Sequence, residues 1–252
     1  SSEICPEIRE YERLSTTVAN AYVQPLVARY LRELEARLKA SGLACPLLLM
    51  TSAGAVMTLD AAMAHPVRLV ESGPAGGPIL ARQPADAQGL PRVLSFDMGG
   101  TTAKLALIDD GVPEITRQFE VARAHRFLKG SGMPLRIPVV EMVEIGAGGG
   151  SVARLDALGR IAVGPESAGS DPGPACYDLG GAAATVTDAD VVLGHFDAEG
   201  FAGGRLRLLP ARASEVVERD VGRGLGGDAL VAAHAVAEVI DEAMAGAARV
   251  HA

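Results

Sequence analysis

Apolar residues recur at every fourth position in a long stretch near the start of the chain, and this spacing predicts an amphipathic helix. The recurring positions are Val18, Tyr22, Leu26, Tyr30, Leu34 and Leu38. The pattern begins after Thr16 or Thr17, either of which can cap a helix, and it ends near Ala40. Pro25 lies inside it and predicts a kink or a later start. The preceding residues 1–15 are polar and irregular, so we expect an arm there.

Short apolar runs alternate with short helical patterns between residues 46 and 96. Strands are predicted at residues 46–52, 67–70 and 93–96, and helices at residues 60–64 and 78–82. The run PLLLMTS at residues 46–52 is continuous, as in the buried strands of a parallel sheet. The order strand, helix, strand, helix, strand favours an α/β layer with a mostly parallel sheet.

The stretch VLSFDMGGTTAKLALIDDG at residues 93–111 predicts a tight β-hairpin. Its two apolar runs, residues 93–96 and 105–108, are joined by a turn with two glycines and two threonines, and Asp97 stands at the tip. An ordinary hairpin with a glycine-rich turn is the simplest interpretation. The spacing alone does not favour a functional site over it.

The residue types at this tip are also those of an anion site. The candidate donors are Gly99, Gly100, Thr101, Thr102 and Lys104. Glycines let backbone N–H groups approach an anion closely, threonines add hydroxyl donors, and lysine adds a positive charge. Asp97 would be repelled by a bare phosphate, so it fits there with a divalent cation or a water molecule between them.

A β-rich region with loops rich in glycine and proline is predicted from residue 113 to residue 210. Strands are expected there at residues 114–122, 137–145, 152–155 and 160–163, and a loop at residues 129–133. After this region, helices are expected at residues 214–223 and from Gly227-Asp228 to the end. The glycine- and proline-dense loop at residues 164–190 is long for a compact domain, which favours a functional or lid-like segment.

Residues 146–151 form a second candidate cradle for an anion or a substrate. Gly148, Gly149 and Gly150 stand together there, between two predicted strands. A glycine-rich bend between strands is the alternative interpretation.

Composition narrows the function classes. The chain has 252 residues, a formal net charge of −8 and 48% hydrophobic residues, enough to bury one large or two modest cores. The acidic balance argues against a nucleic-acid surface or an anionic membrane as partner. Without a long apolar run or a signal-peptide pattern, we expect a soluble, cytoplasmic protein. Cys5, Cys45 and Cys176 show neither metal nor disulfide spacing.

Six sequence blocks, in order and across nearly the whole chain, resemble the hydantoinase/oxoprolinase family, specifically its hydantoinase A domain. They are ICPEIREYERLSTT at residues 4–17, ESGPAGG at 71–77, FDMGGTTAK at 96–104, EIGAGGGSVARLD at 144–156, VGPESAGSDPGPACY at 163–177, and TVTDAD at 185–190 followed by LGH at 193–195.

This resemblance implies the fold of actin-like ATPases and sugar kinases, in which two ribonuclease-H-like lobes close over a nucleotide. The chain would be one such α/β lobe, with a mixed sheet, a β-rich insertion and a helical C-terminus. Residues 97–102 look like the phosphate hairpin of the second lobe. Full family members are longer and carry another lobe first. Residues 1–252 would therefore be a hydantoinase A fragment, divided approximately into residues 1–45, 46–112, 113–210 and 211–252.

The resemblance also implies a chemistry: family enzymes open cyclic amides such as hydantoins or 5-oxoproline with ATP and Mg²⁺ or Mn²⁺, and relatives serve in ketone carboxylases. A lactam carbonyl is a poor electrophile, and phosphorylation turns its oxygen into a leaving group. By this comparison Asp97 would hold the metal or its water and the hairpin tip would hold the phosphates. Many relatives have Asp where Lys104 stands. Expected partners are a cyclic amide, the missing N-terminal lobe and a B-type hydantoinase subunit; the isolated fragment is expected to be inactive.

Further candidates come from the densest part of the family pattern. Asp171, Cys176 and Asp188 could face substrate, but no nearby basic residue would lower the pKa of the Cys176 thiol. Asp188 and Asp190 could form a metal or acid–base pair, although an Asp at a helix start is usually a cap.

The remaining expectations concern two histidines, one loop and the competing function classes. His125 and His195 are expected to be structural or surface residues. The sequence of residues 178–184 departs from the usual family pattern, which suggests an uncommon substrate. The competing classes are a non-catalytic assembly domain of a larger complex and, more weakly, a sugar-kinase-like phosphotransferase.

Overall fold

The computed structural model describes residues 1–124 and 130–251, so His125 and Lys129 lie outside the described residues. The helices are α1 Glu10–Ala40, α2 Leu59–Ala64, α3 Ser72–Gln88, α4 Val186–Val192, α5 Phe201–Gly204, α6 Pro210–Asp220 and α7 Ala229–His251, with 3₁₀ turns at Pro66–Leu69, Ala175–Tyr177 and Gly222–Leu225. The strands are β1 Leu48–Met50, β2 Val56–Thr58, β3 Arg92–Met98, β4 Ala103–Asp109, β5 Val112–Pro113, β6 Ile115–Thr116, β7 Phe119–Val121, β8 Met133–Leu135, β9 Val139–Val140, β10 Val143–Ile145, β11 Ser151–Leu155 and β12 Ile161–Ser167.

The chain divides into two compact units. The first comprises Ser1–Ser95 and Ala106–Met142, and the second comprises Phe96–Leu105 and Val143–Ala252. The four consecutive parts expected from the sequence describe chain order rather than these units. Within residues 1–124 and 130–251, no helix is both long and apolar enough to span a membrane.

In the first unit, α1 packs through polar side chains. Asn20 donates to the carbonyl oxygen of Ala64 at 3.1 Å and accepts from the N–H of Val67 at 3.2 Å. The hydroxyl of Thr16 accepts from the N–H of Arg136 at 2.9 Å. These groups satisfy backbone donors and acceptors that would otherwise be buried without partners. The helix begins at Glu10, earlier than predicted, so Thr16 is an internal contact residue instead of a cap.

The predicted apolar stripe of α1 is real, but most of it faces outward. Of its predicted members, Val18, Tyr22, Leu26 and Tyr30 are exposed, and Tyr11 and Leu14 extend this exposed row toward the start of the helix. The buried positions of the helix are Ser15, Thr16, Asn20, Ala28 and Leu31. The amphipathic pattern is thus inverted over the first half of the helix, because small and polar residues are needed at the contacts with neighbouring backbone.

The expected mostly parallel sheet is wrong. Each pairing with an assigned register in the described residues is antiparallel, and the sheets are small. The predicted strand at residues 67–70 is a 3₁₀ turn, Pro66–Leu69. Pro66 supplies no N–H for a ladder and its fixed φ suits a helical start. The strand β1 pairs with β2 through a turn at Gly54, whose φ of +76° favours glycine.

The predicted hairpin is confirmed as β3 and β4, and the helical C-terminus is confirmed as α6 and α7. In the second unit, α4, α6 and α7 pack with β11 and β12 around a core of alanine and valine side chains. The carboxylate of Asp228 caps α7 by accepting from the N–H groups of Leu230 at 2.7 Å and Val231 at 3.2 Å. The protein is therefore a mixed α/β chain with small sheets and a helical end.

Candidate functional site

The tip of the β3–β4 hairpin carries backbone donors for which the described residues provide no acceptor. The turn is closed by the N–H of Gly99, which donates to the carbonyl oxygen of Thr102 at 2.9 Å. Among residues 1–124 and 130–251, the N–H groups of Gly100, Thr101 and Thr102 find no acceptor, and neither threonine hydroxyl has a partner. The turn is largely exposed. It therefore presents N–H and hydroxyl donors at one point.

Asp97 is the second-last residue of β3, beside this tip. Its carboxylate is exposed and forms no hydrogen bond or ion pair with any described residue. Lys104 lies one residue after the start of β4, opposite Glu144 in the antiparallel pairing of β4 with β10. The tip thus combines an accessible carboxylate with nearby donors.

The glycine loop before β11 docks directly on the hairpin tip. The N–H of Gly149 donates to the carbonyl oxygen of Gly99 at 3.0 Å, and the N–H of Gly150 donates to that of Gly100 at 2.6 Å. Gly99 and Gly100 are therefore held by their carbonyl oxygens, which leaves the N–H of Gly100 directed away from this contact. The loop fixes the shape of the tip.

A second anion cradle at Gly148, Gly149 and Gly150 does not form in this conformation. The N–H of Gly148 donates to the hydroxyl oxygen of Ser151 at 2.9 Å, and the other two N–H groups are used on the hairpin. A Cβ atom on Gly148 would lie 2.5 Å from the carbonyl oxygen of Gly99. These glycines serve close backbone packing, so the alternative interpretation, a bend between strands, fits their contacts better.

The start of α4 supports the glycine loop from its other side. The carbonyl oxygen of Gly149 accepts from both the N–H of Thr187, at 2.7 Å, and its hydroxyl, at 2.8 Å. The first residue after β12, Ala168, donates its N–H to the carbonyl oxygen of Gly150 at 2.8 Å. The long loop expected at residues 164–190 is shorter than predicted, because β12 extends to Ser167 and α4 begins at Val186.

Asp188 is a buried hydrogen-bond centre. Its carboxylate accepts from the N–H groups of Ala175 at 3.2 Å, Cys176 at 2.8 Å and Thr185 at 3.0 Å, and from the Thr185 hydroxyl at 2.7 Å. The Thr185 hydroxyl in turn accepts from the N–H of Asp188, which completes a capping box. These contacts describe a residue that joins α4 to the 3₁₀ turn at Ala175–Tyr177. A catalytic role for Asp188 stays a prediction.

The Cys176 thiol is fully buried next to this carboxylate. Burial raises the pKa of the thiol far above its ordinary value, and the negative charge of Asp188 raises it further. The thiol therefore stays protonated at neutral pH, which disfavours the nucleophile hypothesis.

The other acidic candidates have different surroundings. Asp171 is exposed, and within the described part of the chain its side chain has no partner. The carboxylate of Asp190 lies 3.0 Å from Nδ1 of His195. Burial raises the pKa of Asp190, and the contact with His195 opposes this effect. Asp188 and Asp190 bind different groups, and no cluster of three or more His, Cys, Asp or Glu side chains suited to a metal occurs among residues 1–124 and 130–251.

The residues at the hairpin tip fit one side of a site for a metal-bound nucleotide. An exposed carboxylate is a ligand that Mg²⁺ or Mn²⁺ accepts, usually with several waters retained. The unused N–H and hydroxyl donors suit phosphate oxygens.

Sequence reasoning missed Thr187, which holds the glycine loop. The spacing Thr185-x-x-Asp188 is a capping-box signal and could have placed the helix start there.

Comparisons with known proteins identify the family of the chain. Residues 13–250 match the model of the family described as hydantoinase/oxoprolinase. The chain is 34% identical over 224 residues to the caprolactamase subunit alpha of Pseudomonas jessenii, covering 89% of this chain and 31% of that protein. It is 34% identical over 248 residues to the acetophenone carboxylase gamma subunit of Aromatoleum aromaticum, covering 98% of this chain and 32% of that protein.

A solved structure is similar in fold as well. The crystal structure of the ATP-dependent caprolactamase from Pseudomonas jessenii matches with a TM-score of 0.76 and 32% identity, over 98% of this chain and 34% of that chain. The chain thus spans about a third of the length of the caprolactamase and acetophenone carboxylase subunits compared above.

Proposed function

Because the chain belongs to the hydantoinase/oxoprolinase family, we propose that it is the nucleotide-binding part of a longer ATP-dependent enzyme that opens a cyclic amide. The observation that carries this proposal is the hairpin tip, where three N–H groups that have no acceptor among the described residues stand beside the exposed carboxylate of Asp97. The similar caprolactamase, described as ATP-dependent, supports both the nucleotide and the class of substrate. We also propose that the fold is one lobe of the actin-like ATPase type.

Each residue at the tip has a distinct role in this proposal. The N–H groups of Gly100, Thr101 and Thr102 donate to phosphate oxygens, and the threonine hydroxyls add two further donors. Asp97 holds a divalent cation, Mg²⁺ or Mn²⁺, directly or through its water. Such a cation, when bound, neutralises charge on the phosphates. Gly148–Gly150 do not touch the nucleotide in this scheme; they fix the tip from behind.

Fixed donors matter because phosphoryl transfer depends mainly on positioning and on stabilisation of developing negative charge. A turn held through its carbonyl oxygens keeps its free N–H groups in place, so little reorganisation is needed when an anion arrives. The tip is also open, and one exposed carboxylate cannot exclude water from the reaction. We therefore propose that the fragment alone is inactive, and that another lobe of the parent chain completes the site.

A second candidate is a part of a ketone carboxylase, which the identity to the acetophenone carboxylase gamma subunit favours. A ketone oxygen and a lactam oxygen can both be activated by phosphorylation, so the same hairpin serves either reaction. Since both relatives compared above are named as subunits, we propose a partner subunit of the B type. We also propose a cytoplasmic location. An assembly domain without catalysis is the alternative from a different class.

Titration of ATP with magnesium into this chain and into its full-length parent tests the proposal. We expect the parent to bind and its Asp97→Ala variant to lose most of that affinity. Asp109→Ala is the matched control, because Asp109 is an exposed carboxylate at the far end of the same hairpin. If the parent binds nucleotide equally well without Asp97, the tip is not the phosphate site and the assembly alternative gains support.

A further inference from the structure

The exposed side of α1 carries a continuous row of large apolar side chains, here called the α1 stripe. Its members and their exposed fractions are Tyr11 67%, Leu14 57%, Val18 54%, Tyr22 84%, Leu26 62% and Tyr30 60%. They follow one another at intervals of three or four positions, so they lie along one face of the helix. A single exposed leucine is ordinary, but a row of this length marks an interaction surface.

The composition of the α1 stripe suits protein recognition. Tyrosine is enriched among residues that dominate binding energy, because it offers a large rigid surface with a polar end. A fully covered aromatic side chain buries about 150–250 Å². Three tyrosines with three aliphatic residues therefore approach the roughly 800 Å² per partner of a standard interface. The α1 stripe therefore supplies a large part of the area of such an interface.

We propose that two copies of this chain associate through the α1 stripe, with the two α1 helices antiparallel. The charge along the helix favours this arrangement. Residues 1–13 carry four Glu and two Arg, whereas residues 29–39 carry three Arg, one Lys and two Glu, so the start of the chain is net negative and the later part of α1 is net positive. An antiparallel pair sets the acidic end of each helix against the basic end of the other, and a parallel pair would set like charges together.

One charge pair fixes the orientation. Glu10 and Arg32 are both exposed, and neither forms an ion pair with any described residue. They lie about six helical turns apart, so they flank the α1 stripe on the same side. In a two-fold antiparallel pair, Glu10 of each copy faces Arg32 of the other copy. The contact therefore occurs twice, because the interface is isologous. The centre of the pair then falls near Ala21, which is exposed.

Sedimentation analysis of the 252-residue chain over a range of concentrations tests the association. We expect the wild type to reach twice the monomer mass of 25.9 kDa, and Tyr22→Glu with Leu26→Glu to stay at the monomer mass. Leu80→Glu is the matched control, because Leu80 is a helical leucine with 68% exposure on α3. We expect it to dimerise as the wild type does. Thermal unfolding of each variant checks that the chain is folded.

A charge exchange tests the orientation. Glu10→Arg and Arg32→Glu each place like charges opposite one another in the antiparallel pair, so each should weaken the dimer about tenfold or more. The double variant restores the opposite charges and should recover wild-type association. Failure of the double variant to recover overturns the antiparallel arrangement.

A monomeric wild type at every concentration overturns the proposal as a whole, and then another segment of the parent chain or a different subunit covers the α1 stripe. An equal loss of association in Leu80→Glu would also overturn it, since it would mean non-specific contact. The measurement uses no nucleotide, so its outcome is independent of the function proposed above.

Discussion

The N–H of Gly149 donates to the carbonyl oxygen of Gly99 at 3.0 Å, so a glycine loop holds the hairpin tip by its backbone. The carbonyl oxygen of Gly149 is held in turn by the N–H and the hydroxyl of Thr187, at the start of α4. Three segments far apart in sequence thus set the conformation of one turn. The donors at the tip depend on residues that never reach the ligand.

Gly148→Ala should disturb this arrangement. The new Cβ would lie 2.5 Å from the carbonyl oxygen of Gly99 and 2.8 Å from the nitrogen of Thr101, and both are backbone atoms that cannot move alone. We expect the free energy of unfolding to fall by about 1–3 kcal/mol, as for overpacked cores. Urea unfolding measures it, and nucleotide affinity of the parent should fall with it.

Gly246→Ala is the matched control for this substitution. Gly246 lies within α7, and a Cβ there meets nothing within 4 Å. Alanine is the better helix former, so this variant should be as stable as the wild type or slightly more so. If Gly148→Ala unfolds like Gly246→Ala, the close approach of loop and hairpin is not a structural requirement.

The hairpin could be predicted from sequence because its signals are local. Two apolar runs and a glycine-rich turn define β3 and β4 without reference to the rest of the chain. The role of Gly148–Gly150 could not be predicted in the same way. A glycine that lets two backbones touch looks identical, in sequence, to one that leaves room for an anion, and only the position of Gly99 separates them.

The buried face of α1 could not be predicted from the sequence for a similar reason. Periodicity identifies the helix and its apolar face, but it does not say which face the protein covers. Asn20 and Thr16 lie inward because the backbone of Val67 and Arg136 needs partners there. The prediction of a strand at residues 67–70 was wrong for the same reason. The hydrogen bond from the N–H of Val67 to Asn20 stabilises a 3₁₀ turn there instead.

Asp188→Ala should unfold the protein more easily, whether or not the residue also acts in catalysis. Alanine leaves the N–H groups of Ala175 and Cys176 buried without their acceptor. We expect a loss of about 3 kcal/mol or more in the free energy of unfolding. Asp171→Ala removes an exposed carboxylate with no described partner, so it should leave stability unchanged. Equal stability of the two variants would contradict the structural role of Asp188.

Asp220 should make stability depend on pH in the acid range. Burial opposes its ionisation, but hydrogen bonds from Arg219 at 2.6 Å and from the N–H of Ala184 at 2.9 Å outweigh burial. The pKa of Asp220 therefore lies below the ordinary value in the folded protein. The unfolded chain then binds more protons at acid pH, so this stabilisation is present above the unfolded pKa of about 3.9 and is lost as pH falls through the folded pKa.

Urea unfolding of wild type and Asp220→Asn across this pH range measures the effect. The wild type should be more stable by a constant amount near neutral pH, and the difference should shrink as the solution becomes more acidic than about pH 4. A difference that stays constant down to low pH would show that Asp220 acts through packing and not through its charge.

Thiol labelling of the native protein should find one fast cysteine among three. Cys45 is exposed, whereas Cys5 and Cys176 are buried. The raised pKa of Cys176 also keeps its thiol protonated, and the protonated form does not attack a labelling reagent. The Cys45→Ser variant should therefore lose the fast reaction, and all three thiols of the wild type should react after unfolding in urea. Fast labelling at Cys176 in the folded Cys45→Ser protein would reopen its role as a nucleophile, because it would require an accessible thiolate beside the Asp188 carboxylate.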